Sequence, residues 1–219
     1  LTKKYNSPNK GFGKVKKTTD FKRRKEFKTP ASILTIVCEG KKTEPIYFED
    51  IRKLYKLSTL RLSIIPNQGA PISIVNRALK EKKHSSKDDS IWCVFDVEVL
   101  SENPSFSRAV KLARTNNINL AISNPSFEFW FLLHFEKTDR PFSNADEIIE
   151  YLKNYMPEYD KGKSVFNELE NNTKLAVSNV SNIRNNSVDK WTNFPNPSTS
   201  VDILVTEILS LISEQSTRL

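Results

Sequence analysis

The chain has 219 residues, 37% of them hydrophobic with 13 Phe and 3 Trp, and a formal net charge of +8. That is enough for one domain with a real core, or a domain plus a small appendage. No apolar run approaches about 18 residues, which argues against a membrane span, and the lysine-rich start with no apolar stretch behind it argues against a secretory signal.

Residues 1–28 hold 11 Lys and Arg against 2 Asp and Glu, leaving 23 basic and 24 acidic residues in the rest. The basicity therefore belongs to the N-terminal arm, residues 1–30, which has no apolar period. Lys16, Lys17, Lys22, Arg23, Arg24 and Lys25 form its densest part. Such a run releases counterions on meeting a polyanion, most simply nucleic acid; the alternative is a solvated tail that aids solubility.

Beyond Pro30 the pattern alternates. Ser32–Cys38, Leu60–Pro66, Ile91–Val97 and Ile118–Ser123 are short continuous apolar runs, the mark of strands covered on both faces. Glu44–Leu57, Pro71–Lys83 and Pro104–Asn117 have helical spacing, the first with Thr43 as its N-cap. Asn124–Glu136 opens on Asn-Pro and is apolar nearly all round, predicting a buried helix capped by Asn124. The order β-α-β-α-β-α-β-α predicts an α/β fold: an open, mostly parallel sheet of about four strands flanked by helices, over residues 31–136. Residues 137–219 read as an all-helical extension packed on that core. Cys38 and Cys93 lie inside strands, too few for a disulfide framework or a zinc site. They are expected to be reduced, buried residues of a cytoplasmic protein.

Ligands of open α/β sheets sit beyond the C-terminal strand edges. The first strand ends in Glu39-Gly40 and the third in Asp96-Val97-Glu98, with Asp96 and Glu98 on one side of the extended chain. Three carboxylates drawn together repel one another without a cation, and hard oxygen donors suit Mg²⁺ or Mn²⁺. The alternative is a set of ordinary acids in solvated loops. Glu128, among Phe127, Phe129 and Trp130, is either paired or metal-bound, or an acid stabilised in a first helical turn. Lys41 and Lys42 are placed to contact phosphate or simply to be solvated. His134 does not share a helical face with Glu128 and reads as a packing or hydrogen-bonding residue. There is no P-loop and no GxGxxG motif, so energy from nucleotide hydrolysis would come from a partner.

The segments ILTIVCEGKKTEPIYFEDI, WCVFDVE, ISNPSFEFWFLLHF and NPSTSVDILVTEIL together resemble the RloB-like family of bacterial proteins over roughly residues 30–215. The resemblance implies a Toprim-like fold and a place in restriction and abortive-infection loci, that is, phage defence. It implies a metal-dependent nuclease of DNA or RNA, with transfer RNA among its potential substrates. Glu39 would handle the proton and Asp96 would ligate Mg²⁺; Glu98 stands where a second aspartate is usual, and Glu128 is a supporting site residue. A neighbouring ATPase and self-association are compatible with it. A non-catalytic module that binds nucleic acid or a partner is the competing expectation.

Overall fold

The computed structural model describes residues 2, 32–58, 61–66, 69–97, 104–186 and 193–217. The basic arm expected over 1–30 lies outside them, apart from Thr2. Residues 31–219 group as one unit. Its first strand, β1 (Leu34–Cys38), is followed by α1 (Thr43–Leu54), β2 (Leu62–Ile65), α2 (Pro71–Lys82), β3 (Ser90–Asp96), α3 (Pro104–Thr115) and β4 (Asn119–Asn124). Then come α4 (Glu128–Leu132), α5 (Ala145–Leu152), α6 (Phe166–Leu169), α7 (Thr173–Asn186), β5 (Ser198–Thr199) and α8 (Val201–Thr217), with a short 3-10 turn at Glu170–Asn172.

The sheet order is β2-β1-β3-β4-β5, parallel through β4, with β5 antiparallel to it. The protein is thus α/β with a mostly parallel sheet flanked by helices. The apolar runs of β1 and β3 are covered on both faces, which is why they show no polar alternation. Ile36, Cys38, Trp92 and Val94 point into one core with α1, α4 and the C-terminal helices. Val37, Cys93 and Phe95 point into a second core with α2 and α3. Cys38 and Cys93 are buried and unpaired. No helix among the described residues is long and apolar enough to cross a membrane.

Three expectations need correction. Thr43 is the first helical residue of α1; Lys42 holds the cap position and makes no side-chain cap bond. Asn124 ends β4 rather than capping a long helix. Its Nδ2 donates to the Phe194 carbonyl at 2.7 Å, and the Asn124–Pro125 peptide is cis. With that side chain committed elsewhere, helical backbone begins only at Glu128 and lasts five residues. Finally, the C-terminal region is not all helical: β5 adds a fifth strand, joined to β4 by a Ser123–Thr199 hydroxyl hydrogen bond of 2.9 Å. A two-residue strand between prolines and a helix carries no period that a sequence could display.

Candidate active site

The chain places β2 to one side of β1 and β3 to the other, so the strand order reverses between β1 and β3. Crevices at such reversals, beyond the C-terminal strand ends, are where α/β sheets bind ligands. Glu39 and Asp96 sit there. Glu39 continues the ladder, its N–H donating to the Val94 carbonyl at 3.0 Å. Its Oε2 accepts the backbone N–H of Asp96 at 3.1 Å, so the two acids are locked side by side. Asp96 follows Trp92 and Val94 in the alternation of β3, and so faces the α1/α4 side.

Two more carboxylates reach the same crevice. Glu44, in the first turn of α1, is only 7% exposed. Its Oε1 accepts the Gly40 N–H at 3.4 Å, and a Cβ at Gly40 would stand 2.7 Å from its Oε2. Glu128 is 2% exposed and fully engaged: Ser126 Oγ donates to Oε2 at 2.7 Å and Tyr159 Oη to Oε1 at 3.0 Å. Those two hydroxyls are the compensation a buried carboxylate needs.

The resulting field is strongly negative. Asp96 is held well above the usual carboxylate range by burial, then by the charges of Glu44, Glu128 and Glu39, against a stabilising bond from the Phe127 N–H. Its Oδ1 is shielded from solvent and has no hydrogen-bond partner among the described residues. Burial likewise raises Glu44, with Glu128 adding to the effect and Lys161 opposing it.

These acids line a cavity of about 390 Å³ whose rim carries Lys41, Lys42 and Lys161. All three lysines are exposed, and among the described residues none forms an ion pair with the carboxylates. Lys161 arrives from the turn before α6. That turn presses on the β1–α1 loop at Gly162, whose φ is +97° and where a Cβ would meet Lys42 Cδ at 2.9 Å. Glycine is needed there both for the backbone angle and for the close approach.

The structure therefore brings Glu39, Asp96, Glu128, Lys41 and Lys42 to one crevice. Glu98, Lys16, Lys17, Lys22, Arg23, Arg24 and Lys25 lie outside the described residues. Sequence reasoning missed Glu44, Tyr159 and Lys161. Glu44 reads as an ordinary first-turn acid, and the other two stand in a loop with no periodicity. Among the described residues, no group of three or more His, Cys, Asp or Glu is placed so that it could hold a metal ion. His134 is buried against Trp130, its Nδ1 bonded to the Trp130 carbonyl at 2.9 Å, away from this crevice.

A model of the family described as RloB-like protein matches residues 34–208, and the chain belongs to that family. The match runs from β1 into the first half of α8 and so includes every described residue of the crevice. Neither a curated protein nor a solved structure gives a match.

Proposed function

We propose that this protein is a metal-dependent nuclease of Toprim-like type that cuts a phosphodiester bond in DNA or RNA, transfer RNA included, as an effector of phage defence in the cytoplasm. The observation that carries the reading is the Asp96 carboxyl group. It is crowded by three other acids and keeps a shielded oxygen that has no partner among the described residues. A protein gains nothing structural from that arrangement, since an unpaired buried oxygen surrounded by like charge is destabilising.

The donors fit Mg²⁺ or Mn²⁺. Mg²⁺ is commonly held by one or two carboxylates together with substrate phosphates and water, so a group of three protein ligands is not required. Asp96 and Glu39 would hold the ion, with Glu98, two positions further along the sequence than Asp96, as a further ligand. Bound there, a divalent ion would offset charge on the phosphate oxygens. Glu39, which accepts the Asp96 N–H, would move a proton at the attacking or leaving oxygen. Glu128 shapes the negative field from behind, its own oxygens already committed to Ser126 and Tyr159. Lys41, Lys42 and Lys161 would draw the phosphodiester to the rim. The arm at residues 1–28 would hold the backbone without reading sequence. An ATPase partner and a homo-oligomer are compatible with this scheme.

The competing role is a non-catalytic module that binds nucleic acid or a partner. Incubation of the purified chain with mixed DNA and RNA in Mg²⁺, Mn²⁺ or EDTA separates the two. Metal-dependent cleavage that Glu39→Gln abolishes while binding persists supports the nuclease. Binding without cleavage, combined with equal harmlessness of wild type and Glu39→Gln expressed in cells, supports the module.

A further inference from the structure

The body after residue 28 is nearly neutral, with 23 basic and 24 acidic residues, yet its charges are not mixed evenly. Helix α3 contains Arg108, Lys111 and Arg114 and no acid. The three are spaced by three, which puts them on one face. All are exposed, and none has an ion-pair or hydrogen-bond partner for its side chain among the described residues. Beside this face runs a groove of about 410 Å³, floored by Phe106 and Phe194 and edged by Lys111 and Arg114. The rings of Phe106 and Phe194 meet edge to face at 5.8 Å.

Two features tie this groove to the catalytic crevice. Phe106 packs edge to face on Phe95 at 5.8 Å, and Phe95 immediately precedes Asp96, its side chain on the opposite face of the sheet. Phe194 is held by the Asn124 side chain at the end of β4 with φ at +51°, a backbone region that an aromatic residue enters only at a cost. Local backbone strain of this kind marks positions that the surrounding structure imposes. Groove and crevice thus lie on the two sides of one sheet edge, separated by the thickness of β3.

We propose that the groove and the exposed face of α3 form the docking track for a single-stranded nucleic acid whose next phosphate crosses the sheet edge to Asp96. The inference rests on the nuclease reading above and adds the strandedness and path of its substrate. Cations that follow a phosphate backbone beside aromatic faces that accept any base are the working parts of sequence-tolerant single-strand binding. A duplex would present its bases to itself and leave the phenyl groups unused.

The test is fluorescence anisotropy of the full chain in EDTA, where cleavage is silent. The probes are 20-nucleotide single-stranded DNA and RNA, the matching duplex, and an abasic strand of equal length. The Lys111→Ala/Arg114→Ala double variant, altered only at exposed positions, should bind the single strands at least tenfold more weakly. Its log–log salt slope should fall by about 1.4, from about 0.7 per lost phosphate contact. The wild type should prefer the base-bearing strand over the abasic one by at least about fivefold, and Phe194→Ala should erase that preference. Unchanged affinity and slope in the double variant overturn the track, as does tighter binding of duplex than of single strand. A wild type that binds as described but never cleaves removes the nuclease reading and leaves the track standing. Cleavage that the double variant performs as well as wild type removes the track alone.

Discussion

Gly40 and Glu44 are fitted to each other: hydrogen is the largest side chain position 40 accepts while the Glu44 carboxylate, 2.7 Å from where a Cβ would stand, keeps its place. The clash partner is the free end of a side chain, so relieving it moves the acid and not the backbone. Gly40→Ala is therefore expected to shift Tm by no more than about 2–4 °C, equivalent to about 1 kcal/mol at this size. Metal-dependent cleavage should fall about tenfold or more, because displacing a site group by about 1 Å is costly to catalysis. Melting and cleavage rates measured on one preparation check both halves.

Asp96 offers a test of whether the crevice is built for stability or for chemistry. Replacing it with Asn keeps the shape and an oxygen for the Phe127 N–H while removing a charge repelled by Glu44, Glu128 and Glu39. Without divalent ions, Asp96→Asn should be more stable than wild type, by about 0.5–2 kcal/mol. Saturating Mn²⁺ at about 100 times its Kd should stabilise wild type by about 2.7 kcal/mol and leave the variant unmoved. A variant that melts lower than wild type in EDTA would show that Asp96 serves the fold.

Tyr159 holds the Glu128 carboxylate from a loop 31 positions away. Tyr159→Phe leaves one buried carboxylate oxygen without its donor, at an expected cost of about 1.5–3 kcal/mol. Combining it with Glu128→Gln should cost less than the two single changes added together, since they share one interaction. Strict additivity in urea unfolding would mean the hydrogen bond contributes nothing.

His134 predicts an acid limb in stability that is separate from the crevice. Burial pushes its pKa down to about 4, opposed by hydrogen bonds with the backbone of Trp130 and Phe131. The unfolded chain takes up the proton near pH 6.5, while the folded chain resists until about pH 4. Its contribution is thus fully present above about pH 6.5 and lost as the pH falls toward 4, on the order of 3 kcal/mol over the window. His134→Gln removes the titration, so wild type should lose that much more stability than the variant between pH 7 and pH 4.

The parts of the fold legible in the sequence were those with a repeating cause. Continuous apolar runs marked β1 to β4 because parallel strands are buried on both faces, and the Glu39 and Asp96 pair followed from their place at the strand ends. What stayed hidden had no period behind it. Asn124-Pro125 looks like a helix start, and only its long-range partners, Ser198 on β5 and the Phe194 carbonyl, show that Asn124 ends a strand. Glu44 looks like any acid in a first turn until Glu128 and Asp96 come to meet it. Tyr159 and Lys161 enter the crevice through long-range packing of a loop, which neighbouring residues do not announce.

The β4–β5 pairing, only two residues long, governs where this chain can be cut. It covers one edge of the parallel sheet, and α8 behind it sends Glu207 back to Ser90 Oγ and to Trp92 Nε1 on β3. A fragment ending near residue 136 would bare the β4 edge, leave Trp92 and Glu128 without their distant partners, and offer an open strand for self-association. The helices that look like an appendage along the chain supply contacts that the α/β half, cut off from them, would lack.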